Sequence, residues 1–194
     1  MWPALWLLGV NIKSVGWPAC GEIDVVEANG ATPYKIQSSL HSGSDETGFY
    51  NFRPDESATD FHSYVLDWSP TLISFSIDDH VYETQNSWSS SLGAFPAPFN
   101  APFFLLMNLA VGGQYVGNPS IGSINAGTVF PAEMQVDYVR VYKQTVPLQI
   151  SAGQSSGNII LTWPSNIVCH LPTADEFVGH KLVLTLSPRR IRWS

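Results

Sequence analysis

The sequence predicts an all-β fold, an antiparallel β-sandwich or jelly roll. Three observations carry that expectation. Helical periodicity is nearly absent, short runs alternating apolar and polar residues recur along the chain, and turn residues separate those runs. Spacing of this kind is what stacked antiparallel sheets produce.

The runs are taken in order. "ALWLLGV" could pass for the core of a signal peptide. It lacks a basic leading segment and a small-residue cleavage site, and Trp2 and Trp6 flank or enter it, so it reads as a strand. "GEIDVVEA" reads as a second strand, stopped by "NGATP". "KIQSSLHSG" follows, and residues 44–59 read as a polar loop. In "DFHSYVLDWSP", His62, Tyr64, Leu66 and Trp68 alternate with Phe61, Ser63, Val65 and Asp67. "TLISFSIDDHVYET" reads as a hairpin turning at Asp78-Asp79. "APFFLLMNLAVGG" is almost wholly apolar, which predicts a strand buried on both faces. "AEMQVDYVRVYKQ", with Val136, Tyr138, Val139 and Val141, reads as the closing strand.

The length of 194 residues allows one domain with a sizeable core. Seven Trp, seven Tyr and ten Phe, with only 13% charged residues, suit a turn-rich β fold with a sugar-type ligand. The net charge of −7 argues against nucleic acid as a partner, because a phosphate backbone would repel it. No apolar run is long enough to span a membrane, so no membrane partner is expected. Cys20 and Cys169 could form at most one bridge and have no metal-binding spacing, and two unpaired thiols is the simpler reading.

Composition divides the chain into 1–143 and 144–194. Acidic residues dominate the first part and basic ones the second. "TVPLQISAGQSSGN" reads as a linker and "NIILTWPSN" as a strand of a sandwich too short to complete. The end, "SPRRIRWS", is basic, and the whole of 144–194 reads as a linker and an incomplete or foreign tail.

The chemistry concentrates in "CGEIDVVEANG". Glu22, Asp24 and Glu27 fall within six residues of a strand-forming run. Strand side chains alternate, so Glu22 and Asp24 share a face and Glu27 points away. One extra residue near Val25-Val26, a β-bulge, would return Glu27 to their face. Crowded carboxylates disfavour one another's charged forms, a cost that acid–base chemistry can exploit. Taken alone, the six residues also fit a solvated edge strand or a calcium site.

The blocks "WPALWLLG", "GWPACGEIDVVEANG", "SLHSG", "FHSYVLDWSP", "FSIDDHVYET", "PFFLLMNLAVGGQYVGNPS" and "FPAEMQVDYVRVY" occur in this order. Together they resemble glycoside hydrolase family 16, specifically its laminarinase-type endo-β-1,3-glucanases. The resemblance covers residues 1–143 and implies a jelly roll of two curved antiparallel sheets with a concave cleft. It implies a secreted, retaining endo-β-glucanase acting on β-1,3- or mixed β-1,3/1,4-glucan such as laminarin or lichenan. Within "EIDVVE" it implies Glu22 as nucleophile, Glu27 as general acid/base and Asp24 as partner of the nucleophile.

The same resemblance implies a glucose platform at Trp17, a cleft position for His41, and a further platform at Trp2 or Trp6. For Trp6, inside "LWLL", core packing is the preferred reading. Asn108 is expected beneath the sheet or at the cleft edge. No cofactor is implied for catalysis, and a structural calcium is implied at Asp137 on the convex side. Family members carry a further segment ahead of "WPALWLLG" that supplies calcium ligands and cleft wall, and one aspartate alone is a weak site. Without that segment a bare sheet edge is expected, and with it a homo-oligomer. "NIILTWP" and "KLVLTLS", within residues 158–187, are expected to fill such an edge. The rival function is a non-catalytic β-glucan-binding protein on the same fold. Such relatives generally lose the catalytic glutamates, and both are present here.

Overall fold

A computed structural model describes residues 1–142, 151–155 and 158–162. Eight strands build the body: β1 (Trp2–Gly9), β2 (Glu22–Ala28), β3 (Lys35–His41), β4 (Asp45–Asn51), β5 (Tyr64–Ser69), β6 (Leu72–Ile77), β7 (His80–Gln85) and β8 (Phe103–Ala110). A five-stranded sheet has the order β4-β3-β2-β1-β8, and a three-stranded sheet the order β5-β6-β7. Every pairing is antiparallel. Two short helices, α1 (Ile12–Val15) and α2 (Ile121–Gly127), and one 3-10 turn at Gln114–Val116 decorate the loops.

The two sheets pack face to face. Leu5, Leu7, Ile23, Ile36 and Leu40 from the larger meet Tyr64, Leu66, Trp68, Ile73, Phe75 and Ile77 from the smaller, all buried. Full burial of such side chains stabilises by about 1.5–3 kcal/mol each. The alternation read along β5 and β6 is therefore a true two-faced pattern. The hairpin turn also falls where expected, with Asp78 at φ 46° and Asp79 at φ 67° between β6 and β7. Two successive positive φ values give the turn that matches strand twist.

Four expectations need correction. Residues 44–59 are not all loop: 45–51 form β4, the last strand of its sheet. "DETGFYN" has no apolar alternation because much of this edge strand faces solvent. Second, β8 is not buried on both faces. It is the other end of the larger sheet, and Phe104 and Met107 are 40% and 49% exposed. Third, residues 135–142 do not form a strand, although Val136, Val139 and Val141 still pack against the core. Fourth, residues 151–155, read as linker, form a strand β9 (Ser151–Ser155) that pairs with β10 (Asn158–Thr162). "NIILT" thus pairs with the supposed linker rather than with the larger or the smaller sheet. "KLVLTLS" and Cys169 lie outside the described residues. Cys20 is buried and free.

Candidate active site

The site begins with the register of β2. Against β1, Leu5 faces Val26 and Trp6 faces Asp24, leaving Val25 without a partner. Against β3, Asp24 faces Ser39 and Glu27 faces Gln37, so Val25 and Val26 together oppose Ser38. This is the two-against-one count of a β-bulge. Opposed residues in an antiparallel pair share a face. Glu22, Asp24 and Glu27 therefore share one face with Trp6, Ala4, His41, Ser39 and Gln37. Ile23 and Leu40 point to the core behind them.

Each acid has its own partners. The Trp17 indole donates to Glu22 Oε2 at 2.8 Å, and the Trp2 indole donates to Glu27 Oε1 at 3.0 Å. Gln37 lies 3.5 Å from Glu27 Oε2 and donates at 2.9 Å to Ser39. His41 Nε2 lies 3.1 Å from Asp24 Oδ2, and its Nδ1 lies 2.7 Å from Asp45 Oδ1. Asp24 and Glu27 are buried, while Glu22 is half-buried.

The electrostatics follow from this placement. Burial, and then the charge of Asp24, push Glu22 up to about 7, against the opposing pull of His41 and the Trp17 hydrogen bond. Burial, and then Asp24, also push Glu27 up to about 7, opposed by the Trp2 hydrogen bond. The Asp24 hydrogen bond raises His41 to about 9, with Asp45 adding to it and burial opposing. These causes favour a protonated His41 beside Asp24 and hold both glutamates above the usual carboxylate range.

Ligand atoms of Glu22, Asp24 and His41 lie within 4.8 Å of one another. Asp137 is exposed and belongs to no group of three Asp, Glu, His or Cys among the described residues. Asp137 by itself offers one side-chain ligand, against the six to eight oxygens that calcium takes.

The aromatic and amide positions divide clearly. Trp17 is 57% exposed with its ring 5.9 Å from His41, so it lies on the open side of the carboxylates and not in the core. Trp2 stacks at 5.2 Å on Tyr115, whose hydroxyl reaches the Glu27 carbonyl at 3.4 Å. Gly113, at φ 106°, carries the chain past this pair, and a Cβ there would come within 2.9 Å of the Trp2 ring. Trp6 is not a core residue as preferred. It is half-buried on the carboxylate face, and its indole donates to Asn108 Oδ1 at 2.8 Å. Asn108 faces Ala4 from β8, on the cleft side of the sheet.

The sequence reading missed Asp45 and Tyr115. Asp45 lies in a stretch that reads as polar loop. Its signal was the His-x-x-x-Asp spacing around Gly43, a tight hairpin that returns the aspartate opposite the histidine. Tyr115 lies 88 positions from Glu27, and no local pattern links them.

The glycosyl hydrolases family 16 model matches residues 1–140. A glucan endo-1,3-beta-glucosidase of Cryptopygus antarcticus is 36% identical over 151 residues, 72% of this chain and 56% of that one. The glucan endo-1,3-beta-glucosidase A1 of Niallia circulans is 39% identical over 157 residues, 74% of this chain and 22% of that one. The crystallised endo-beta-1,3-glucanase of Pyrococcus furiosus is 36% identical with a TM-score of 0.54, over 63% of this chain and 49% of that one. The chain spans about half the length, or less, of these relatives. The bulged acidic strand, the two antiparallel sheets and a family match running from residue 1 to residue 140 agree: the chain belongs to glycosyl hydrolase family 16.

Proposed function

We propose that the chain is a retaining endo-β-glucanase that cleaves β-1,3- or mixed β-1,3/1,4-glucan. The observation that carries this reading is the bulge, which puts Glu27 on the face of Glu22 and Asp24. Trp2, Trp6 and Trp17 bring flat apolar surface to that face, and Gln37 and Asn108 bring amides, a lining suited to a neutral polyhydroxylated chain.

Burial supports Glu27 as the proton donor. Glu27 is 8% exposed and Glu22 is half-buried, so the neutral form is favoured more at Glu27. The Glu22 carboxylate attacks the anomeric carbon while Glu27 gives its proton to the leaving glycosidic oxygen. A glycosyl ester on Glu22 results. Water then attacks the same carbon, its proton passes to the Glu27 carboxylate, and Glu22 departs. Two inversions give net retention. Asp24 favours the protonated form of Glu22 and so tunes when the nucleophile is charged.

Reducing-sugar release from laminarin and lichenan tests the reading. Glu22→Gln and Glu27→Gln are each expected to lose roughly 100-fold or more of turnover with the fold intact. Asp24→Asn is expected to lose less. Early products should carry the β-anomer by nuclear magnetic resonance. Full activity in Glu22→Gln, or α-anomer first, overturns the assignment. Glucan binding by a wild-type chain without hydrolysis supports the binding-protein alternative.

Two further properties belong to the same proposal. A polymeric substrate favours a location outside the cell, tested by fractionating the producing cells and their medium. Among the described residues β8 ends the larger sheet, and with Phe104 and Met107 exposed this edge supports self-association. Light scattering over a concentration series should show a mass above the monomer that Met107→Lys lowers. A concentration-independent monomer refutes it.

A further inference from the structure

His41 is held from both sides. Asp24 on β2 takes one ring nitrogen at 3.1 Å, and Asp45 on β4 takes the other at 2.7 Å. His41 faces Glu22 across β2–β3 and Asp45 across β3–β4. Glu22, Asp24 and Asp45 are the charged groups around the ring, with Glu27 further along β2 and the Trp17 ring on the open side.

The hairpin that carries Asp45 is tied down. The Ser42 hydroxyl donates to the Ser89 carbonyl at 2.8 Å, and the Ser89 amide donates to the Ser44 hydroxyl at 3.3 Å. Gly43 forms an isolated antiparallel bridge with Ser90. Gly43 sits at φ 127°, a conformation that side chains rarely adopt. Segment 89–90 thus fixes the turn between His41 and Asp45. Asp45 is exposed, so its place beside the ring owes more to this clamp than to burial.

We propose that Asp45 is a positioning residue: it fixes His41 as a cation facing Asp24, and through Asp24 decides when Glu22 is ionised. The proposal rests on the hydrolase reading given above. It goes beyond that reading by naming the group that sets the protonation of the nucleophile. Both His41 nitrogens face carboxylates, so both act as N–H donors, which only the protonated ring can do. Without Asp45 the ring loses one of its two anchors and ionises more weakly. The imidazolium, still charged near neutrality, is then held less firmly against Asp24, its positive charge acts less on Glu22, and Glu22 protonates more readily.

The experiment compares wild type with Asp45→Asn, which keeps an acceptor and removes the charge, and Asp45→Glu, which restores it. Nuclear magnetic resonance follows the His41 imidazole through a pH titration, and laminarin hydrolysis is measured over the same range. In Asp45→Asn the His41 midpoint should fall, and the acid limb of kcat/KM should move to higher pH. At pH 6 kcat should fall roughly threefold to tenfold, as suits a charged contact at a partly exposed site, with KM changed less. Asp45→Glu should recover part of both shifts. A merely structural role would lower thermal stability and leave both midpoints in place. An unmoved His41 midpoint in a folded Asp45→Asn protein overturns the proposal, as does a moved midpoint with an unmoved acid limb. Absence of hydrolysis in wild type overturns the hydrolase reading and, with it, the catalytic half of this one; the His41 titration then still decides whether Asp45 holds the ring.

Discussion

Glu27 illustrates how one side chain sets the working range of the site. It is buried, and burial is the largest cause of its rise to about 7. A glutamate with a raised folded value favours the native state when protonated, fully so below its unfolded value. That contribution is lost as pH rises through about 7. Glu27→Gln keeps the shape and removes the charge. We therefore expect its melting temperature to exceed that of wild type at pH 8 and to match it at pH 5, by calorimetry at both. An equal difference at both pH values would refute a buried ionisable Glu27. Trp17 offers the contrast. It is 57% exposed, so Trp17→Ala should barely alter the melting temperature. It should raise the KM for laminarin by a factor equivalent to about 1–2 kcal/mol of lost ring contact. A collapse of stability with an unchanged KM would contradict the cleft role.

At the scale of the element, the bulge in β2 matters more than any one residue in it. The extra residue shifts the alternation between Asp24 and Glu27. Deleting Val26 would remove the bulge and leave Val25 opposite Leu5 and Ser38, with Glu27 still opposite Ala4 and Gln37 and so still on the face of Glu22 and Asp24. The variant should fold and keep part of its activity, lowered because Glu27 approaches Asp24 differently along a regular strand. Denaturant unfolding and laminarin assay of the deletion variant check this together. A variant that fails to fold would mean that the bulge is needed for the sheet itself and not only for the placing of Glu27. The clamp of the β3–β4 hairpin on segment 89–90 has the same standing: backbone contacts outside the site fix the geometry inside it.

At the scale of the molecule, the larger sheet carries the chemistry and the smaller one seals its back. Three site groups share a sign in their pH dependence. Glu22 and Glu27 are raised to about 7, and His41 to about 9. Each contributes stability that is present below its unfolded value and lost as pH rises through its folded value. Melting temperature should therefore decline between pH 5 and pH 9, first as the glutamates ionise and then as His41 loses its proton. A Glu27→Gln/His41→Asn double variant should show a flatter decline. A wild-type melting temperature that climbs steadily from pH 5 to pH 9 would contradict all three directions.

The sequence by itself determined the strands with clear alternation, β5, β6 and β7, and the positive-φ turn at Asp78-Asp79. It also fixed the acidic face of β2, since parity alone showed that Glu27 needed one extra residue to join Glu22 and Asp24. Local periodicity encodes which side of a strand is apolar, and that is a property of neighbouring residues. It does not encode what lies opposite. Only the tertiary structure decided that β4 exists, since an edge strand has little need of an apolar face. Only it decided that the apolar β8 ends a sheet, and that Trp6 turns to the carboxylate face to meet Asn108, 102 positions away. Asp45 became visible as a partner of His41 once the hairpin closed. The acids are written in the chain, but the groups that govern their protons arrive from other strands.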